Sequence, residues 1–452
     1  MLTYVLATVF VLGILILIHE MGHFMVAKAV DIRVPRFSIG LGPKLIGFKR
    51  GETEYCLSAI PFGGYVKMAG ETTGEFIEGD GEDKVEEVTG PSPRDFDQKP
   101  IWARVIVVSA GSTMNFVWGF TIFFFLAYIE GIPFLPLTPI GKLDWGEAGP
   151  VEGLSRLEEG DRITEVSGVE IESWGDVFDV LAEEELPLSL TWTDSEGNLH
   201  REEVSSADSA TRARLAIVLE PAIPPRVGQV QKGSPAERAG FRQGDLIVSI
   251  DEVQVDEWSK AVTAIKFNPE KELDVKVLRD GGIVNLKVTP ERKVLPADGD
   301  SYEEVGQIGI LSDVPMRRLS LLGAVRQGAL ESYYIAAYVL LTVEQLITGE
   351  ISPRMLGGPV MIGELAGNRA RWGFAHLMRF MALFSVNLAV LNILPIPILD
   401  GGHVLFLLIE KLRGKPLSEK VRMRLSQVGM ILLILMMVYV TANDGLRLLN
   451  IY

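Results

Sequence analysis

His19, Glu20 and His23 stand together in the run His19-Glu20-Met21-Gly22-His23. On a helix, positions i and i+4 lie one turn apart on one face, so both imidazoles can reach a single Zn²⁺. Glu20 falls on the adjacent face, where its carboxylate can take a proton from water activated by the metal. That is the chemistry of hydrolysis. A five-residue pattern is common by chance, and its setting decides its weight. Here it follows the uncharged run Met1 to Ile18. Ionisable groups at bilayer depth cost roughly 2.5–3.5 kcal/mol each on insertion scales, so three polar residues there imply a function more than a solvated surface.

A hydrolytic zinc takes three protein ligands and keeps one position open. The single cysteine, Cys56, excludes a Cys-based site and an internal disulfide. Of the remaining histidines, His200 lies in a soluble stretch beside a hairpin signal, and His376 precedes the third apolar run at the end away from His19. Asp400, which closes that run, is the strongest third ligand, with His403 the competing one. Asn387, Asn392, Pro395 and Pro397 make the same run unusual. Proline removes a helical hydrogen bond and clashes with the preceding turn, so two of them predict an unwound segment, tolerable in a membrane where it lines an enclosed or wet cavity. Free backbone groups and two carboxamides beside a metal could hold an extended peptide. The plainer reading of such asparagines is hydrogen bonding between helices, and Asn115, four residues after Gly111, fits that role.

These residues need a membrane scaffold. The 452 residues are 48% hydrophobic yet carry a formal net charge of −16, so apolar and acidic residues must be segregated. The apolar content excludes a disordered chain. With 43 Lys+Arg against 59 Asp+Glu, no global basic excess favours nucleic acid. Four uncharged runs reach spanning length: Met1 to Ile18, Val105 to Ile129, Phe380 to Leu399 and Leu425 to Asn443. The first lacks the basic start and small-residue cleavage site of a signal peptide and is expected to stay in the mature protein. Basic residues cluster after the first helix (Lys28 to Arg50) and between the third and fourth (Lys411 to Arg424). The positive-inside rule therefore predicts both loops cytoplasmic and both termini outside, with Arg369, Arg371 and Arg379 running against it.

The long stretch between the second and third helices contains an internal repeat. Gly160-Asp161 recurs as Gly244-Asp245, and at the same offset Ile163, Val166, Val169, Ile171 and Trp174 match Ile247, Ile250, Val253, Val255 and Trp258. Leu273 to Val288 reads as two strands around Asp280-Gly281-Gly282. Thr53 to Met68 alternates and turns at Pro61-Phe62-Gly63-Gly64, predicting a membrane-associated β-hairpin. Glu71 to Asp97, rich in acidic residues, Gly and Pro, reads as a mobile cytoplasmic loop. Ser332 to Val343 is apolar but too short to span and is expected to lie on the membrane surface.

The expected fold is thus a polytopic α-helical membrane protein with four transmembrane helices. Its parts are a first span (1–28), a hairpin and acidic loop (29–100), a second span (101–130), two inserted α+β domains (131–221 and 222–312), an amphipathic interfacial segment (313–374), a third span (375–410), a basic loop (411–424) and a fourth span (425–445).

Gly233-Ser-Pro-Ala-Glu-Arg-Ala-Gly-Phe-Arg-Gln-Gly-Asp-Leu-Ile resembles PDZ domains of bacterial envelope proteases, and the first copy is more diverged, with Ala148-Gly149-Pro150 in place of Gly233-Ser234-Pro235. PDZ domains bind peptide C-termini by strand addition, or serve as spacers and size filters. The HEMGH run on the first span, together with Asn392-Ile-Leu-Pro-Ile-Pro-Ile-Leu-Asp400-Gly on the third, resembles the paired motifs of site-2 proteases, the intramembrane zinc metalloproteases. The four-helix plan, the paired PDZ domains and Phe37-Ser-Ile-Gly-Leu-Gly42 extend the resemblance to essentially the whole chain. It implies Zn²⁺ on His19, His23 and Asp400, Glu20 as catalytic base, and substrate contacts at Asn387 and Asn392. It also implies that Gly40-Leu41-Gly42 and the hairpin engage the substrate strand. The implied partners are single-pass membrane proteins trimmed on their outer side, an anti-sigma factor and signal-peptide remnants among them. The implied location is the bacterial inner membrane, with periplasmic PDZ domains and an active site toward the cytoplasm. A pseudoprotease, a PDZ scaffold and a metal transporter are the rival readings. Intact Glu20 opposes the first, and clustering of the polar residues toward one face opposes the last.

Overall fold

The computed structural model describes residues 2–71, 92–143, 145, 149–182, 188–204, 208–296, 302–353 and 356–448. Most of the acidic stretch read as a loop, and Ala148 of the diverged first copy, lie outside the described residues. The chain forms two units, Met1–Ile129 with Leu319–Tyr452, and Glu130–Arg318.

The first unit opens with helix α1 (Leu2–Ala29), strands β1 (Arg36–Arg50) and β2 (Thr53–Lys67), and helix α2 (Ile101–Ile129). At about 1.5 Å per residue, 28 and 29 residues give lengths above the roughly 30 Å of a hydrocarbon core. Helices α1 and α2 pack closely because Gly22 lies against Ala110 and Met114, where an added Cβ would come within 2.9 Å of the Met114 Cβ. The sheet is richer than the expected hairpin. Phe37–Ile39 pairs with Gly64–Val66 on one side and with Tyr55–Leu57 on the other, while Ile46–Arg50 returns along Thr53–Leu57. The chain therefore reverses around Gly40 and Gly42, at Gly51, and again at Gly63, all glycines with left-handed φ between +64° and +112°. The reversal read at Pro61–Gly64 is one of three. Arg94, on the segment leading into α2, donates to Glu52 at 2.8 and 2.9 Å and to Asp31 at 2.7 Å, and Lys28 also meets Glu52.

The second unit repeats itself. After β3 (Ile132–Pro133) and β4 (Ile140–Leu143), the first copy has β5 (Arg162–Val166), β6 (Val169–Glu170), α3 (Trp174–Ala182), β7 (Ser189–Thr193), β8 (Leu199–Glu203), α4 (Ser209–Val218) and β9 (Leu219–Pro221). The second copy has β10 (Val227–Val230), α5 (Pro235–Ala239), β11 (Leu246–Ile250), β12 (Val253–Gln254), α6 (Trp258–Lys266), β13 (Leu273–Arg279), β14 (Gly282–Val288), the hairpin β15 (Glu291–Pro296) and β16 (Tyr302–Gln307), and β17 (Ile310–Ser312). β18 (Met316–Arg317) closes on β3. The sheet orders β6-β5-β7-β8 and β12-β11-β13-β14 are the same arrangement twice. In each copy the repeated aspartate, Asp161 or Asp245, is buried and accepts from the backbone N–H three residues earlier, at 2.9 and 2.8 Å. The copies differ where the last strand begins. The first enters β9 from α4, whereas the second enters β17 through Gly309 at φ +80°.

The first unit resumes with α7 (Leu321–Thr348), α8 (Pro359–Trp372), α9 (Phe374–Ile393), α10 (Asp400–Arg413) and α11 (Glu419–Leu448). Among the described residues, four helices, α1, α2, α9 and α11, are long and apolar enough to cross a membrane. The stretch Ser332–Val343 is not a short helix by itself: it is the middle of the 28-residue α7. Small residues four apart explain the difference, because Gly328 rests on the α2 backbone at Phe120 and Phe124, and Ser332 is fully buried. Val339 then joins Val11, Leu15, Phe123, Met381 and Val386 in one apolar core. At the start of α8, where Gly358 offers no side-chain cap, Asp444 of α11 accepts from Gly358 N at 3.1 Å and Met361 N at 3.0 Å. The third span of the sequence is two helices: α9 stops at Ile393, and α10 starts at Asp400 after the Pro395 and Pro397 turn.

Arg94 first, and then Lys28, holds the Glu52 carboxyl down at about 2, from an ordinary value near 4.5. A depressed carboxyl stabilises the fold above its unfolded value and loses that contribution as pH falls through the folded one. Amide protection in β1 and β2, taken relative to the intrinsic exchange rate at each pH, should accordingly fall between about pH 4.5 and 2 in the wild type. In Glu52→Gln protection should already be lower at pH 7 and flatter with pH; an unchanged profile would remove this contact from the anchoring of the sheet.

Candidate metal centre

Three side chains from two distant parts of the chain converge. His19 and His23 project from α1, and Asp400 is the first residue of α10. The two Nε2 atoms are 3.2 Å apart; His19 Nε2 lies 3.6 Å from Asp400 Oδ2, and His23 Nε2 lies 3.7 Å from Asp400 Oδ1. A tetrahedral zinc with bonds of about 2.0–2.2 Å separates its ligand atoms by about 3.3–3.6 Å. The donor set and its spacing fit that ion. The imidazoles stand at 82° to each other, so their lone pairs meet rather than stack.

Helix α2 forms the wall of the cradle. A Cβ built on Gly111 would come within 2.8 Å of His19 Nε2 and closer still to His23 Nε2. His23 Nδ1 lies 2.8 Å from the Val107 carbonyl, an acceptor only, so Nδ1 carries the proton and Nε2 is left as a lone-pair donor to metal. Ser112 Oγ donates to Asp400 Oδ2 at 2.8 Å, and the Asn115 amide is 3.3 Å from His19 Nδ1. Farther along, Arg104 forms an ion pair with Glu410 at 2.5 Å, tying α10 to α2 a second time.

The break before Asp400 is tightly constrained. Gly401 and Gly402 let residues 393–397 fold back on the start of α10; a Cβ on either would run into the carbonyls of Ile393, Leu394 or Ile396. Ile398 takes φ +105°, a strained position for a β-branched residue, of order 1–3 kcal/mol. Gly429 of α11 packs on the Pro397 carbonyl from the other side.

Of the other residues picked out by sequence, Glu20 follows His19 on α1, and Gly64 of β2 lies so near that a Cβ there would be 2.9 Å from Glu20 Cγ. Gly40, Leu41 and Gly42 form the reversal opposite: Leu41 pairs with Ile60, and its side chain covers Gly63. Asn387 and Asn392 are half-buried on α9, and among the described residues neither amide has a hydrogen-bond partner. His403 does not join the three-residue cluster; its ring meets Phe406. His200 pairs with Asp194 at 2.8 Å, and His376 packs on Trp372. Sequence reasoning missed Ser112 and the Val107 carbonyl, read Gly64 as a turn residue, and read Asn115 and Gly111 as packing residues. The available signal was a short polar cluster, Gly111, Ser112 and Asn115, in an otherwise apolar helix.

A donor set that fits zinc, beside a carboxylate and apolar helices long enough to cross a membrane, is the arrangement expected of a membrane-embedded zinc metalloprotease. The chain belongs to peptidase family M50, the zinc-dependent site-2 proteases, whose family model matches residues 7–436. It is 31% identical to the regulator of sigma-E protease RseP of Salmonella typhimurium over 98% of both chains, and 32% identical to that of Escherichia coli over 97% of both. A protein of Neisseria meningitidis named for zinc metalloprotease activity is 30% identical over 98% of this chain and 99% of its own.

Gly111→Ala places a methyl group where the ligand atoms converge. The variant should keep the wild-type helix content by circular dichroism but hold less than a tenth of the wild-type zinc; a full complement of zinc would show that the cradle is not where the metal sits.

Proposed function

We propose that this protein cuts a peptide bond within the transmembrane segment of single-pass membrane proteins. The observation that carries the proposal is the convergence of His19, His23 and Asp400 beside Glu20 and an unwound stretch of chain between membrane helices. His19, His23 and Asp400 would hold zinc, which when bound would supply Lewis acidity to the scissile carbonyl and lower the pKa of water. Glu20 takes the proton of the attacking water as oxygen bonds to the carbonyl carbon. Glu20 then passes that proton to the leaving amine as the C–N bond breaks.

A helical substrate shields its carbonyls, so it must unwind before it is cut, and the freed backbone groups need partners inside the membrane. The amides of Asn387 and Asn392, without hydrogen-bond partners among the described residues, support a role in holding that backbone, and the nearness of Gly64 to Glu20 supports pairing of the substrate along β2, with Gly40 to Gly42 shaping the approach. The two copies of the second unit are read as PDZ domains. Gly309 turns the second copy into β17 tightly against Ser234 and Gln231, while α4 leads directly into the equivalent strand of the first, so the two copies would present different strand edges to a peptide C-terminus. With the basic loops cytoplasmic, this unit is periplasmic, both termini are periplasmic and the centre faces the cytoplasmic half of a bacterial inner membrane. The likeness to proteases named as regulators of sigma-E supports an anti-sigma factor as a substrate and a role in the envelope stress response, and signal-peptide remnants, as single-pass segments without an outer domain, fit the same site.

Purified protein in detergent, given a single-pass substrate without its outer domain, should cut it, and a zinc chelator should stop the reaction. Glu20→Gln should retain about one zinc yet lose cleavage by at least about a thousandfold, while Asn387→Ala and Asn392→Ala keep zinc and cut about tenfold more slowly. Cleavage by Glu20→Gln at the wild-type rate would sink the mechanism. The periplasmic unit is assigned a size-filter role: removing residues 131–312 should permit cleavage of substrates that keep their outer domain, and unchanged selectivity would discard the filter.

A further inference from the structure

We infer that α2, which contributes no metal ligand, is the outer shell that orients all three, with Ser112 and Asn115 as its positioning residues. The inference rests on the zinc protease reading above. Each ligand meets a different polar group of this one helix: His23 Nδ1 the Val107 carbonyl at 2.8 Å, Asp400 Oδ2 the Ser112 hydroxyl at 2.8 Å, and His19 Nδ1 the Asn115 amide at 3.3 Å. Val107, Gly111, Ser112 and Asn115 fall on one helical face by their spacing of four, one and three. Ser112 and Asn115 are both buried, at 3% and 0% exposure, so water cannot replace either contact cheaply.

The Asn115 amide is the decisive case. Its Oδ1 is buried with no hydrogen-bond partner, although the amide abuts His19 Nδ1. The two ends of a carboxamide have nearly the same shape. With the oxygen turned toward Nδ1, it accepts the imidazole proton, and His19 takes the tautomer that the Val107 carbonyl imposes on His23. Both Nε2 lone pairs then face the same point. A carboxylate or carbonyl behind a ligating histidine, and a donor behind a ligating carboxylate, typically change metal affinity by 10–100-fold. Asn115 also has a packing contact, since its backbone carbonyl accepts from Ser385 Oγ at 2.7 Å. That contact supplies a control, because Ser385 is buried in the same helix interface and touches no ligand.

The experiment measures zinc affinity of the full chain in detergent by chelator competition, and the visible spectrum of the Co²⁺-substituted protein. Ser112→Ala and Asn115→Ala should each weaken zinc binding about 10–100-fold and shift the Co²⁺ bands. Ser112→Thr keeps a hydroxyl and Asn115→Asp keeps an acceptor oxygen; both should bind within about threefold of wild type. Ser385→Ala should bind as wild type does. Wild-type affinity and spectrum in both alanine variants would overturn the inference, as would equal losses in Ser385→Ala or failure of both conservative variants to restore binding. A wild-type chain that binds no zinc would instead overturn the reading of the centre itself.

Discussion

Three lone pairs pointed at one place repel one another, and in apolar surroundings water cannot relieve them. The convergence of His19 Nε2, His23 Nε2 and a carboxylate oxygen of Asp400 within 4.8 Å is an arrangement that a bound cation would relieve, and much of the first unit serves to hold it. Helix α1 presents the two imidazoles, glycines let α2 approach to contact distance, and the folded-back turn before α10 delivers the carboxylate. The ion pair Arg104–Glu410 and the Ser112–Asp400 hydrogen bond fasten α10 to α2 about ten residues apart along α10. Both contacts are part-buried, so losing one partner would leave the other poorly solvated, and α10 is held to α2 at two points.

A further glycine shapes the surroundings of the centre. Gly64 brings an edge of the β1/β2 sheet against Glu20, and the break between α9 and α10 exposes backbone that a continuous helix would satisfy internally. In a soluble protease such groups would be hydrated. Between membrane helices they gain most when another strand or an unwound helix supplies the missing partners. A membrane protease therefore has a physical reason to place a sheet edge and a helix break at its active site.

The division into a helical unit and a repeated α+β unit separates two problems. The helical unit solves the chemistry, with its polar groups drawn to one region of an otherwise apolar core. The repeated unit builds two independent apolar cores on matching strands, one around Trp174 and Trp192 and the other around Val227, Ile247 and Val277. Substitutions in one copy can accumulate without touching the other, which accounts for α4 in the first copy where the second has the β15–β16 hairpin and Gly309.

Local spacing was enough to read much of this protein. The histidine pair depends on the helical repeat alone, the four spans on the length of uncharged runs, and the duplicated sheets on an offset that carries from Gly160 to Gly244. Asp400 was legible because a charge ending an apolar run is costly without a partner. What spacing could not reach were contacts between residues far apart in the chain. Ser112 and Asp400 are 288 positions apart, and Asn115 and His19 are 96 apart. A small polar residue in an apolar helix has the same sequence signature whether it packs against a neighbour or steadies a metal ligand. Only the approach of α2 to α1 and α10 distinguishes the two. The length of α7 was obscured for the same reason: its apolar residues alone are too few to span, and its place is decided by Gly328 fitting the backbone of α2.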